Sequence, residues 1–213
     1  MMLRMKAPPL LVLGTRNVKK GRELSELLAP HGIKVATLAD FPAALEVEET
    51  GDTFAANARL KACQQAAPLQ QWVLADDSGI EVDALQGAPG VYSARFAGPE
   101  ATDAQNNDRL LAELAQVPVE RRTARYACHI TLADPLGAIR AEAFATCAGR
   151  IRFKCEGTNG FGYDPLFEVV EYHRTFGELG PAVKRALSHR SRAMRAILPE
   201  IVALIQAEHP ATE

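Results

Sequence analysis

Residues 72–77, WVLADD, set an apolar stretch directly against two adjacent carboxylates. Val73, Leu74 and Ala75 read as the end of a buried strand, here taken as residues 72–75, and Asp76 and Asp77 are poor strand residues whose like charges repel. A core strand that stops at an acidic pair is either a tolerated surface turn, with Ser78-Gly79 completing it, or a place where the charge is used. The carboxyl end of a strand is where α/β folds hold their ligands. Extended backbone would send the two side chains to opposite faces, so one metal ion would meet only one of them directly.

The pattern around this strand is that of an α/β unit. Residues 10–14, LLVLG, form a first core strand; Asn17 caps a helix carrying Leu24, Leu27 and Leu28, and Pro30 and Gly32 stop it before a strand over 33–38. Thr53 opens the helix TFAANARLKACQQAA, with Phe54, Asn57 and Lys61 on one face, and residues 104–115 form another amphipathic helix. A hairpin follows, RYACHITL turning at Asp134-Pro135-Leu136-Gly137 into a strand over 138–148, which implies a mixed sheet. The last helix is expected from about 190 to 207. The expected layout is a disordered lead over 1–8, one domain over 9–207 and a loose tail over 208–213.

The 213 residues suit one α/β domain, possibly of two lobes, and a formal charge of -2 carries no basic footprint for nucleic acid. The stretch from Ala7 to Leu13 is too short for a membrane span and lacks a small-residue cleavage site. Cys63, Cys128, Cys147 and Cys155 form no C-x-x-C pair, as expected of reduced thiols in a cytoplasmic protein, and no metal-ligand spacing links the histidines.

Four loop-like segments carry reactive groups. GTRNVKK, 14–20, offers helix N-terminal amides with Arg16, Lys19 and Lys20; it is a phosphate cradle or an ordinary turn with solvated lysines, and it is not a Walker loop. EETGDTFAANARLKA, 48–62, presents Glu48 and Glu49 before a turn, then Asn57 and Lys61. The acidic pair is the third; hard oxygen ligands beside a phosphate site suit Mg²⁺. The fourth combines GTNGFGYDP, 157–165, with ALSHRSR, 186–192: Phe161 or Tyr163 can stack on a base, Asp164, His189 and Arg190 add hydrogen-bonding groups, and Ser188 is equally readable as a helix cap. A Ser-His-Asp hydrolase is not supported, since G-x-S-x-G is absent and Ser78 sits among carboxylates.

Taken in order, LGTRNVKKGRELSELL, EETGDTFAANARLKA, LADDSGIEVDALQGAPGVYSARFAG, GTNGFGYDPLF and TFGELGPAVKRALSHRSRAM resemble the inosine/xanthosine triphosphate pyrophosphatase family over roughly residues 10–207. The resemblance implies a mixed central sheet flanked by helices, in an elongated two-lobed α/β domain with a cleft between the lobes. It implies Mg²⁺ dependence, a homodimer, and cleavage of purine nucleoside triphosphates such as ITP, dITP and XTP between the α and β phosphates. Thr15, Arg16, Asn17, Val18, Lys19 and Lys20 match the triphosphate loop. Glu49 and Asp77 match the metal-linked acids, with Asp76 beside them and Asp77 at the position of the general base. Asn57 and Lys61 match the helix face turned to the phosphates. Ser78 and Lys184 match substrate contacts. Phe161, Gly162, Tyr163, Asp164, His189 and Arg190 match the base pocket.

Two positions depart from the family pattern. Arg16 replaces the glycine of T-G-N, so it is either strained at positive φ or adds a cation beside the phosphates; Lys19 also replaces a common glycine. On this reading Lys20 and Lys61, with Arg16, stabilise the departing pyrophosphate. His189, Arg190 and the N–H groups of Phe161–Asp164 donate to a 6-carbonyl. Two alternatives remain: a nucleotide sensor without turnover, and a similar pyrophosphatase for other modified nucleotides such as methylated pyrimidines.

Overall fold

A computed structural model describes residues 10–208; the expected disordered lead and most of the expected tail lie outside the described residues. Seven strands, β1 (Leu10–Leu13), β2 (Lys34–Thr37), β3 (Trp72–Val82), β4 (Thr123–Ala133), β5 (Ile139–Ile151), β6 (Phe167–Val169) and β7 (Arg174–Thr175), follow the order β2-β1-β3-β4-β5-β6-β7. Strand β1 pairs parallel with β2 and with residues 72–74 of β3, whereas β6 pairs antiparallel with β5 and β7, so the sheet is mixed as expected. The helices are α1 (Val18–Leu28), α2 (Phe54–Leu69), α3 (Asp103–Glu113), α4 (Pro181–Leu187) and α5 (His189–Glu208).

The chain divides into two compact units built from interleaved segments. The first takes the described residues up to Asp76, His129–Ala143 and those from Ala193 onward. One of its cores joins Val12, Leu38, Val73, Ala75 and Ala133 to Ala62 and Ala66 of α2, whose small side chains let the helix approach the strands closely. Asn17 caps α1 by accepting from the N–H groups of Lys19 and Lys20 at 3.0 and 3.1 Å, and Thr53 caps α2 by accepting from Ala56 at 3.1 Å.

The second unit takes Asp77–Cys128 and Phe144–Arg192. Its core gathers Ile80 and Val82 of β3, Leu110 of α3 with Leu114 just after it, Tyr126 of β4, Ile151 of β5 and the stacked rings of Phe167 and Phe176. Helix α3 opens on a reciprocal cap in which Thr102 and Gln105 each bind the other's backbone N–H.

Strand β3 departs from expectation. It runs through Asp76, Asp77, Ser78 and Gly79 to Val82 instead of ending at Ala75. Val73 and Ala75 are buried in the core of the first unit, and Ile80 and Val82 in that of the second. Anchored on both sides, the intervening residues remain extended and a turn does not form. Helix α3 begins at Asp103, one residue earlier than read from the leucine spacing.

Candidate active site

In the first unit, Thr15, Arg16, Asn17, Val18, Lys19, Lys20, Glu49, Asn57, Lys61 and Asp76 are positioned by β1, α1, α2 and the first half of β3. Asp76 is only 1% exposed, which excludes the solvated-turn reading. Lys20 reaches it from the first turn of α1, its Nζ 3.6 Å from Oδ2. Lys61, one turn beyond Asn57 on α2, places its Nζ 3.0 Å from Oε1 of Glu49. Two carboxylates thus stand beside two largely buried lysines, a set whose charges can be redistributed when an anionic ligand and a cation arrive together.

The phosphate loop differs from its expected form. The N–H of Asn17 donates to Thr15 Oγ1 at 3.1 Å, and Asn17 Oδ1 already accepts from Lys19 and Lys20. Those amides therefore stabilise the loop, and its charged groups are the side chains of Lys19, Lys20 and Arg16. Among the described residues, positive φ outside glycine occurs at Gln70, Gln86 and His173, so Arg16 is unstrained. Its guanidinium donates to the carbonyls of Ala44 and Leu45, both at 3.3 Å. Val18 is exposed at the head of α1.

Asn57 does not lie on an open helix face. It has no exposed surface, and its Oδ1 accepts from the N–H of Gly51 at 2.7 Å. It thereby supports the 48–52 turn that carries Glu49.

In the second unit, Asp77 and Ser78 of β3 belong with the 157–165 loop, α4 and the start of α5. Asp77 is buried. Ser78 Oγ accepts from Arg190 Nη2 at 2.7 Å, which ties the first turn of α5 to β3. Phe161 lies under two cations, Lys184 Nζ at 4.2 Å and Arg190 Cζ at 5.9 Å from its ring centroid. Lys184 is also 2.7 Å from Asp164 Oδ2, a buried ion pair in which losing either partner would strand a charge at a cost of about 3–5 kcal/mol. The same carboxylate accepts from the N–H of Phe161 at 2.8 Å. At Gly160 a Cβ would fall 1.9 Å from Asp164 Oδ2, so only glycine lets the carboxylate pass.

Three expectations for this pocket change. The Tyr163 ring is buried with its Oη donating to the carbonyl of Ser93 at 2.8 Å, so of the two rings only Phe161 keeps exposed surface. Asp164 is buried and committed to Lys184 and Phe161, which makes it a support for the pocket. Of the N–H groups of Phe161–Asp164, those of Phe161, Gly162 and Asp164 are taken by Asp164 Oδ2, Asp103 Oδ2 and the carbonyl of Phe161; the N–H of Tyr163 has no partner among the described residues. Ser188 does cap α5, its Oγ accepting from the N–H of Ser191 at 3.3 Å.

One residue was overlooked in the sequence. The Tyr126 ring stacks on His189, 4.6 Å between centroids and 8° from parallel, and its Oη donates to Asp164 Oδ1 at 3.3 Å. Burial, then the charge of Asp164, pushes its phenol well above the ordinary range, so it remains a neutral donor. The alternation of RYACHITL carries a signal for it: a tyrosine on the buried face of a strand needs a partner for its hydroxyl.

Among the described residues no group of three or more His, Cys, Asp or Glu side chains could hold a metal ion alone. The carboxylates on offer fit an ion that takes one or two protein oxygens and fills its shell with water and phosphate, as Mg²⁺ does.

The Ham1 family model matches residues 11–200. A protein of Rhodopirellula baltica named dITP/XTP pyrophosphatase is 53% identical over 197 residues, 92% of this chain and 95% of that one. One of the same name from Desulforamulus reducens is 51% identical over 87% of this chain and 92% of its own. Among solved structures, a HAM1 protein from Coxiella burnetii superposes with a TM-score of 0.81 at 37% identity, covering 93% of this chain and 99% of its own. With a family match over most of its length and relatives this similar along nearly their whole chains, the protein belongs to the Ham1 family.

Proposed function

We propose that the protein hydrolyses non-standard purine nucleoside triphosphates, dITP, ITP and XTP, to the monophosphate and pyrophosphate. The observation that carries this reading is β3 itself, which holds two adjacent buried carboxylates, one beside Lys20 and the other followed by the serine that anchors Arg190. The names of the Ham1 relatives support the same chemistry.

In this reading Lys20, Lys61, Lys19 and Arg16 bind the triphosphate, while Glu49 and Asp76 would hold Mg²⁺ directly and Asp77, on the opposite face of the strand, would reach it only through a bound water. Mg²⁺ held by these residues would neutralise phosphate charge. Asp77 takes the proton of the attacking water as its oxygen bonds to the α-phosphorus, and the α–β bridging oxygen leaves with pyrophosphate. Lys61 and Lys20 exchange their carboxylate partners for the negative charge that builds on that leaving group.

The base stacks on Phe161. Arg190, His189 and the N–H of Tyr163 are the donors matched to the 6-carbonyl of hypoxanthine or xanthine; against the 6-amino group of adenine they would be left unsatisfied. Such a mismatch can reject the wrong base by up to ~10⁴-fold in kcat/KM.

The described residues contain no helix long and apolar enough to cross a membrane, and all four cysteines are free thiols. We place the enzyme in the cytoplasm as a homodimer of one pyrophosphatase domain. Incubation of ITP, dITP, XTP, GTP and ATP with Mg²⁺, measuring monophosphate and pyrophosphate together, tests the reading. Equal amounts of both products from ITP and XTP, with ATP far slower, are expected. Binding without turnover, or release of orthophosphate, would overturn it.

A further inference from the structure

Gly162 sits at φ +61°, a conformation natural to glycine, and side chains of α3 hold it on both sides. Its N–H donates to Asp103 Oδ2 at 2.9 Å, and its carbonyl accepts from Asn107 Nδ2 at 3.0 Å. Asp103 and Asn107 are one helical turn apart, so they share a face. We infer that Asp103 and Asn107 are positioning residues that set base selectivity by fixing the peptide groups of the Phe161–Asp164 loop, without touching the substrate.

The peptide plane makes the connection. The carbonyl of Gly162 and the N–H of Tyr163 belong to one peptide unit, rigid and trans, so they point in opposite directions. Gripping the carbonyl therefore fixes where that N–H aims. It is the loop donor that has no partner among the described residues, hence the one available to an incoming acceptor. Asn107 is 5% exposed, and its Oδ1 is buried with no hydrogen-bond partner among the described residues. The amide accepts that deficit to keep Nδ2 on Gly162; the flipped amide would set oxygen against oxygen. The helix is itself anchored: Asn106 accepts from the N–H of Ala97 at 2.8 Å and donates to the carbonyl of Ala94 at 3.1 Å. The clamp thus stands on a fixed base.

This inference rests on the proposed base preference and is tested through ratios. The kcat/KM ratio of ITP to ATP is measured on single preparations of the wild type, Asp103→Ala, Asp103→Asn, Asn107→Ala and Asn107→Asp. A ratio does not depend on how much of the sample is folded. Asp103 is exposed, so its variants are expected to fold even if those at buried Asn107 do not. Loss of either clamp should lower the ratio by about 10-fold or more through KM for ITP, because a misaimed donor no longer separates the bases. Asp103→Asn keeps an acceptor and should retain the ratio; Asn107→Asp loses the donor and should not.

Equilibrium binding of IMP against AMP provides a readout independent of turnover. If the wild type cleaves no nucleotide but binds IMP in preference to AMP, the proposed activity falls and the clamp is still judged by the same variants. An unchanged ratio in Asp103→Ala, parallel losses for both bases, or no wild-type preference for IMP or ITP would each overturn the inference.

Discussion

Asp76 and Asp77 show how much one peptide step can separate two like residues. Both are almost fully buried on one strand, where successive side chains leave opposite faces. Asp76 is neutralised by Lys20, whereas Asp77 is the residue to which we give the proton transfer. Asp77→Asn preserves shape, but it exchanges one acceptor oxygen for a donor and cannot accept the proton. Turnover should fall by at least ~10²-fold while the protein stays folded. A steady-state kcat on ITP, with circular dichroism on the same sample, checks this; near-native kcat would remove Asp77 from the mechanism. Arg16 illustrates the opposite lesson. Replacement of a family glycine left strain open as a possibility, and only the backbone, with no positive φ there, removes it.

At the level of elements, periodicity and capping were legible. Asn17, Thr53 and the leucines of α1 and α3 mark their helices, and Asp134-Pro135-Leu136-Gly137 forms its turn with the N–H of Gly137 on the carbonyl of Asp134 at 2.8 Å. The length of β3 was not legible, because Ser78-Gly79 is a turn signal locally and the burial of Ile80 and Val82 that overrides it is tertiary. For the same reason spacing names candidate pocket residues without their partners: it does not reveal that Asp164 pairs with Lys184, or that Asn57 accepts from Gly51.

The β4–β5 hairpin adds a feature no motif announces. Glu142 on β5 accepts from Arg59 of α2 through both oxygens at 2.8 Å, from His129 at 3.0 Å and from Thr131 at 2.9 Å. The Arg59 guanidinium is the main reason its carboxyl is held at about 2, below the ordinary 4.5. A lowered carboxylate stabilises the fold above its unfolded value and loses that contribution as pH falls from about 4.5 to about 2. Linkage would allow ~3 kcal/mol, and less in practice because solvent screens a half-exposed Arg59. Glu142→Gln should therefore lower Tm at pH 6, and the gap from wild type should shrink by pH 3. A gap independent of pH would show that the cluster acts through packing.

Across the whole molecule, the residues assigned to the two halves of the substrate fall in different units of the chain. Lys19, Lys20, Glu49, Lys61 and Asp76 belong to the first unit, whereas Phe161, Lys184, His189 and Arg190 belong to the second. The triphosphate is common to every nucleotide and the base is not, so this partition has kinetic consequences. In the proposed mechanism Lys61→Ala removes a cation that meets charge developing on pyrophosphate, a charge that is the same whichever base is attached. It should lower kcat/KM for ITP and for ATP by one common factor, at least ~10²-fold if its electrostatic role resembles the loss of a single oxyanion donor. Arg190→Ala removes a donor matched to the 6-carbonyl and should lower kcat/KM for ITP far more than for ATP, narrowing the preference by about 10-fold or more. Because the two effects act on independent terms of the same barrier, the double variant should show the product of the single losses for each nucleotide. A change in the ITP-to-ATP ratio in Lys61→Ala as large as that in Arg190→Ala would mean that phosphate and base are not handled separately, and the partition would be abandoned.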